Sequence, residues 1–352
     1  MKKYLCLAAF LLGFAGLGLS QAQAQNPKAL FYLTRDARSV RSFMDHASQV
    51  DILVPAWYSV DADGLVAGGA NPMILAKAKD AHTPVMPIVA NDASSAAPFH
   101  ALLGDESAQY KMIDQLIEIA KLNGYIGWQF DFENVNWDDR DALSRIVART
   151  AERLHKAGLQ LSIATVPNAP GLAGETGYSK FMFSEWRGAY DLAALAKSVD
   201  LICLMTYDQH TRYTPPGPVG GWGWTNENLD YALKVVPPQK LSLGIAIYGY
   251  HWFSGTPQKP EEKPNPTAEY ISGSDALDLA KAYGGQVQWD EGDKTAWLWF
   301  TRDDEREWIF FTDKRTFEAR YNLAKQKGLQ GFCSWDLGDE DPSIWSALPS
   351  HK

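Results

Sequence analysis

Tyr125-Ile-Gly-Trp-Gln-Phe-Asp-Phe-Glu-Asn-Val135 alternates aromatic side chains with polar ones through its second half. In a strand, successive side chains point to opposite faces, so Gln129, Asp131 and Glu133 share one face. Two acids and an amide on one face of an otherwise apolar strand are costly to bury unless paired or catalytic. Outward from this stretch, short apolar runs alternate with segments of helical period. Strands are expected at Ala29–Thr34, Asp51–Tyr58, Pro84–Ala90, Tyr125–Val135, Leu159–Val166, Asp200–Tyr207, Leu241–Tyr248 and Leu329–Trp335. Helices are expected between most of them, among them Glu106–Leu122, Asp138–Lys156, Asn226–Val236 and Lys314–Lys327. This pattern predicts an α/β fold, a (β/α)8 TIM barrel with insertions. A doubly wound open sheet usually carries a glycine-rich turn after its first strand, and none follows here. In the barrel the polar row points inward. Glu133 then lies nearest the carboxyl end, where barrel active sites form.

One segment breaks the rhythm. His251 to Asp313, between the seventh and eighth strands, is far longer than a β-α loop needs. It opens with the Pro/Lys/Glu-rich stretch Pro257–Pro266 and continues with a well-capped helix, Ser272–Tyr283. Three β-type runs follow: Gln286–Trp289, Ala296–Thr301 and Trp308–Thr312. The segment reads as a small α+β insertion walling one side of a cleft. Trp289, Trp297, Trp299 and Trp308 are expected mostly in its own core.

The chain has 352 residues, 46% hydrophobic and 21% charged, which excludes a disordered chain. A net charge of -9 argues against nucleic acid, whose phosphates call for a basic field. Aromatic content is high, with 13 Trp, 15 Tyr and 15 Phe, and sugar-binding clefts stack such faces on pyranose rings. Met1-Lys2-Lys3, an apolar stretch to Gly18 and small residues before Ala24 read as a secretory signal peptide, residues 1–24. About 15 apolar residues is short for a membrane span. The mature chain, with its barrel domain over 25–350, is therefore expected in a periplasm or outside the cell, not membrane-spanning, as a monomer. Cys203 and Cys333 remain in apolar strand-like runs. Buried thiols are the default, with a bridge between them left open.

No G-x-S-x-G elbow, phosphate loop, H-E-x-x-H or C-x-x-C is present, and the seven His are dispersed, so no metal or cofactor is expected. Glu133 beside Asp131 should have a raised pKa, which suits a general acid. The rival account is a structural hydrogen-bond network closing the barrel mouth.

The same row resembles the active-site strand of glycoside hydrolase family 18, the chitinase family, whose pattern is D-G-x-D-x-D-x-E. Aligned on Glu133, the chain keeps Gly127 and Asp131 and departs at Ile126 and Gln129, where the family usually has Asp. Members similar to cortex-lytic N-acetylglucosaminidases also carry an amide at the Gln129 position. Met205-Thr-Tyr-Asp208 resembles the family's sixth strand, Leu243–Tyr250 the seventh, and Gly331-Phe-Cys-Ser-Trp335 with Leu337-Gly338 and Glu340-Asp341-Pro342 the eighth and its exit.

The resemblance implies a retaining glycosidase in which the substrate's own 2-acetamido group is the nucleophile, an exception to the two-carboxylate scheme. It implies Glu133 as acid/base and Asp131 orienting the acetamido nitrogen. Tyr207 would bond the acetamido carbonyl, with Asp208 beside it. Trp335 would be the apolar floor, with Met205 packing it. Gln129, Tyr248, Trp57 and Asn168 complete the expected substrate-side set, Trp57 and Asn168 with loop anchoring as an equal alternative. With an amide at Gln129, Asp131 should ionise more readily and accept a hydrogen bond from that amide. Asn91, with the same even choice between substrate contact and loop anchoring, and Trp137, Trp222 and Trp224 are weaker candidates. The implied substrate is a β-linked N-acetylhexosamine glycan: peptidoglycan, chitin-type oligomers or poly-N-acetylglucosamine. A lectin-like barrel without turnover is the alternative, against which the retained Glu133 argues. A partner-docking barrel has no feature demanding it.

Overall fold

In a computed structural model, residues 26–254 and 266–349 are described; the expected signal peptide and most of Pro257–Pro266 lie outside them. The barrel is built from β1 (Lys28–Leu33), β2 (Ile52–Val60) with its hairpin partner β3 (Val66–Gly68), β4 (Ile88–Ala90), β5 (Gly127–Asp131), β6 (Gln160–Thr165), β7 (Leu201–Leu204), β8 (Leu241–Ala246) and, after the insertion, β14 (Gly331–Trp335). Seven of the eight barrel pairings run in the order β1-β14-β8-β7-β6-β5-β4-β2, and β2 pairs back to β1 to close it; all are parallel.

Each barrel strand sorts its side chains by parity. Along β5, Trp128 and Phe130, followed by Phe132, enter the large outer core under the helices, and Gln129 is fully buried on the other side. The interior is filled by a second cluster including Leu30, Tyr32, Val54, Ile88, Ala164 and Met205. Three strands, β4, β5 and β7, are much shorter than the sequence suggests. Pro84 and Pro87 have no N–H to donate, so the run before Ile88 makes only the isolated bridge Leu53–Val85. Asn134 adopts a left-handed φ of 52°, turning the chain away soon after Asp131. The strand read to Tyr207 ends at Leu204. The helix expected from Asn226 begins at Trp222 instead, with Gly221 as an extended cap, which moves Trp222 and Trp224 from a loop into a first helical turn.

The insertion starts earlier than His251. β9 (Tyr248–Ser254) follows β8 after a single residue and founds a five-stranded antiparallel sheet with β10 (Pro266–Ser272), β11 (Gln288–Asp290), β12 (Thr295–Arg302) and β13 (Glu305–Phe311). The helix Gly273–Tyr283 covers one face, where Ile271, Ala276, Leu298, Phe300, Ile309 and Phe311 form the core. The tryptophans are not that core. Alternation along β12 and β13 sends Trp297, Trp299 and Trp308 to the opposite face. Trp289 instead lies beneath the Arg315 guanidinium, 3.9 Å from its ring centroid.

Cys203 on β7 and Cys333 on β14 are joined by a disulfide through the barrel interior, where both are fully buried. Buried free thiols, the default reading, are thereby corrected: β8 alone separates the two strands, and both side chains point inward with a Cα–Cα distance of 6.3 Å. The bridge closes a loop of 130 residues, so chain-entropy arguments assign it about 3–5 kcal/mol. The Cys203→Ala/Cys333→Ala double variant should show a denaturant midpoint lowered accordingly and no longer sensitive to reductant; an unchanged midpoint would contradict the bridge.

Candidate active site

Glu133 is held through its backbone. Asn91, just past β4, donates to the Glu133 carbonyl at 2.8 Å and accepts from its N–H at 2.9 Å. The Tyr190 hydroxyl donates to the Phe132 carbonyl at 2.6 Å, and the Trp128 indole to Leu116 at 2.9 Å. Gly127 is required where β5 and β6 approach: a Cβ there would sit 2.1 Å from the Gln160 carbonyl oxygen. Parity then carries Gln129, Asp131 and Glu133 inward.

Burial sets the electrostatics. Desolvation pushes Asp131 up to about 6. Glu133 rises to about 8, first by burial, then by the negative charges of Asp131 and Asp208. Asp208, at a left-handed φ of 58°, is raised by burial and hydrogen-bonded from Tyr248 at 2.5 Å and Tyr250 at 3.3 Å. Burial also raises Tyr32, Tyr190 and Tyr207, which therefore remain neutral hydroxyls around the acids. The arrangement holds a protonated carboxylic acid at neutral pH beside a second carboxyl that titrates lower. That is what protonating a leaving group requires.

The structure thus brings together Asp131, Glu133, Tyr207, Asp208 and Tyr248. Trp335 joins them as the seam between the barrel interior and the insertion's aromatic cluster, its ring 5.3 Å from Tyr32. Met205 is buried in the barrel interior beneath. Gln129 departs from expectation. Its amide donates to Ser162 at 2.9 Å, its register partner on β6, and not to Asp131; burial, with no donor to offset it, raises Asp131 rather than easing its ionisation. Gln129 Oε1 and Asp131 Oδ1 are left buried without hydrogen-bond partners among the described residues. Trp57 packs in the outer core, 6.5 Å from the Tyr125 ring, and is not brought to the cluster. Asn168 is buried on the loop after β6, beside the cis Ala169–Pro170 bond.

Several residues near the acids were not singled out from sequence. Tyr32 shares the parity of inward-facing Leu30, a signal that was readable. Tyr190 and Tyr270 gave none. Tyr270 reaches the site through the pairing of β10 with β9, its ring tilted against Tyr248 at 4.7 Å and Tyr250 at 4.8 Å. Asp336, after Trp335, is raised to about 8 by burial and by Asp339. Asn91 anchors the Glu133 backbone, the loop-anchoring role weighed for it.

A parallel barrel with two desolvated carboxyls at the end of one strand fits the acid chemistry of a barrel glycosidase. Residues 28–341 match the family described as Glycosyl hydrolases family 18, and the chain belongs to it. It is a glycoside hydrolase. It is 24% identical to the Uncharacterized glycosylase YvbX of Bacillus subtilis, over 99% of this chain and 98% of that one. It is 30% identical to the Cortical fragment-lytic enzyme of Bacillus anthracis over 70% of this chain, a match spanning about half (54%) of that enzyme. Among solved structures, the Bacillus cereus spore cortex-lytic enzyme SleL superposes with a TM-score of 0.80 at 25% identity, covering 92% of this chain and 74% of that one. A chitinase from Chromobacterium violaceum gives 0.79 at 26%, covering 91% and 97%.

The coupled acids make a testable pH profile. Rate should fall below about 6, as Asp131 takes a proton, and above about 8, as Glu133 loses its own. Asp131→Asn removes a charge that raises Glu133, so kcat/KM should drop on the order of 100-fold and its alkaline limb should move to lower pH. An alkaline limb that stays or moves upward would contradict the coupling.

Proposed function

We propose that this chain is an exported hydrolase of β-linked N-acetylglucosamine-containing glycans, acting by substrate-assisted retaining catalysis. Glu133 donates its proton to the glycosidic oxygen as the C1–O bond breaks. The carbonyl oxygen of the 2-acetamido group bonds to C1, giving an oxazolinium ion, while Asp131 accepts the acetamido N–H. Tyr207 donates to the acetamido oxygen, Asp208 keeps the pocket negative, and Trp335 lies beneath the ring. Water then adds at C1, gives its proton to Glu133 and restores the acetamido group.

The observation that carries this reading is Glu133 itself, half-buried, clamped by its backbone and pushed by desolvation to about 8. Asp131 Oδ1, an acceptor with no partner among the described residues, supports the acetamido role. The names of the cortical fragment-lytic relatives favour envelope glycans over crystalline chitin. The internal disulfide favours an oxidising compartment, a periplasm or the outside of a cell. No helix of the described residues is long and apolar enough to cross a membrane.

Incubation with N-acetylglucosamine oligomers, their de-N-acetylated counterparts and peptidoglycan digests, read by mass spectrometry, tests the reading. Cleavage should be confined to acetylated sugars and fall at least about 1000-fold in Glu133→Gln. Equal cleavage of de-N-acetylated oligomers, or cleavage retained in the variant, would overturn it.

A further inference from the structure

A second groove, of about 270 Å³, lies between the loop after β7 and the outer end of the insertion sheet, lined by Arg212, Thr214, Pro215, Trp252, Arg306 and Trp308 among others. Its wall is aromatic by register: Trp308 on β13 stands directly opposite Trp252 on β9, and Trp299 on β12 opposite Trp308. The Trp252 indole donates to the Thr214 carbonyl at 3.1 Å, fastening the loop to this wall.

Two guanidinium groups meet in this groove on a protein of net charge -9. The exposed Arg38 and Arg315 each have a carboxylate within ion-pair distance. Arg212 and Arg306 have none among the described residues. They rest on rings instead: Arg306 is 4.3 Å from the centroid of Trp299 and 5.9 Å from that of Trp308, and Arg212 is 5.0 Å from that of Tyr213. A guanidinium stacked on a ring is held in place with its N–H edge still free to donate, and its fork matches a carboxylate.

The groove also adjoins the acids. Arg212 is four residues beyond Asp208, so at most about 14 Å of chain separates them. Trp252 is on the same sheet face as Tyr248 and Tyr250, which hold Asp208. A glycan of a few rings threaded past Glu133 can place a substituent here.

We propose that this groove is a subsite for a carboxylate carried on the glycan. The carboxylate belongs either to the lactyl ether on every second ring of a peptidoglycan strand or to the acidic peptide attached there. This rests on the acetamido-glycan reading above and deepens it. The two arginines make the enzyme favour an anionic envelope strand over a neutral oligomer of the same length.

The test uses the full chain carrying Glu133→Gln, so that ligands bind without being cut, and calorimetric titration at neutral pH. The ligands are chitotetraose, a peptidoglycan tetrasaccharide with free lactyl carboxylates, and the same tetrasaccharide bearing its peptides. Adding Arg212→Gln and Arg306→Gln should weaken a carboxylated ligand on the order of 10-fold per arginine and leave chitotetraose within about 2-fold. Whichever carboxylated ligand loses affinity identifies the source. Both arginines are exposed, and an unchanged melting temperature would verify the fold. Equal losses for neutral and anionic ligands, or no loss for any, would overturn the subsite. Those results leave the hydrolase reading standing if the unsubstituted chain cuts acetylated oligomers. Failure to cut any glycan defeats that reading instead.

Discussion

Desolvation of two carboxyls on one barrel strand is the constraint to which the rest of the site answers. In water Glu133 would be ionised at neutral pH and useless as a proton donor. Enclosed by the barrel mouth, with Asp131 two residues before it and Asp208 nearby, it retains its proton to about 8. The groups around it are neutral tyrosine hydroxyls. No described cation is among the causes that set its charge state, and one placed there would return the acid to its ordinary range. Such burial works against stability, and the surrounding structure offsets it with the outer aromatic core, the clamp from Asn91 and the covalent tie between β7 and β14.

The insertion is part of the site and not an ornament on it. Because β9 begins one residue after β8 ends, the same chain direction that closes the barrel delivers Tyr248 and Tyr250 to Asp208. The sheet then separates two tasks by parity. One face buries Leu298, Phe300 and Ile309 under a helix; the other keeps an aromatic surface running outward from Asp208 to Trp252 and Trp308. The disulfide works beneath this arrangement, joining the strand that leads to Tyr207 and Asp208 to the strand that ends in Trp335.

Much of this was legible in the sequence, because period-two alternation is local. The inward row of Gln129, Asp131 and Glu133 needed no tertiary information, and eight strand-like runs sufficed for a barrel. What escaped depended on neighbours distant in sequence. Gln129 bonds Ser162 because the β5–β6 register places them side by side, which no single strand discloses. The segment Thr295–Arg302 is apolar on both faces, so alternation alone could not say which face the helix would cover, and the tryptophans were assigned to the wrong one. Cys203 and Cys333 stand 130 residues apart and meet only once the barrel closes. Trp57 sat at a plausible strand end, yet its ring turns into the outer core.

The central claim is that the acid Glu133 acts with a nucleophile supplied by the substrate, and the stereochemistry of the product tests it most directly. Proton NMR recorded during the first minutes of hydrolysis of a β-linked N-acetylglucosamine oligomer, before mutarotation, reads the anomer released. Two displacements at C1 predict the β-anomer first. Early accumulation of the α-anomer would mean a single direct attack by water, and the account given for Asp131 and the acetamido group would be wrong.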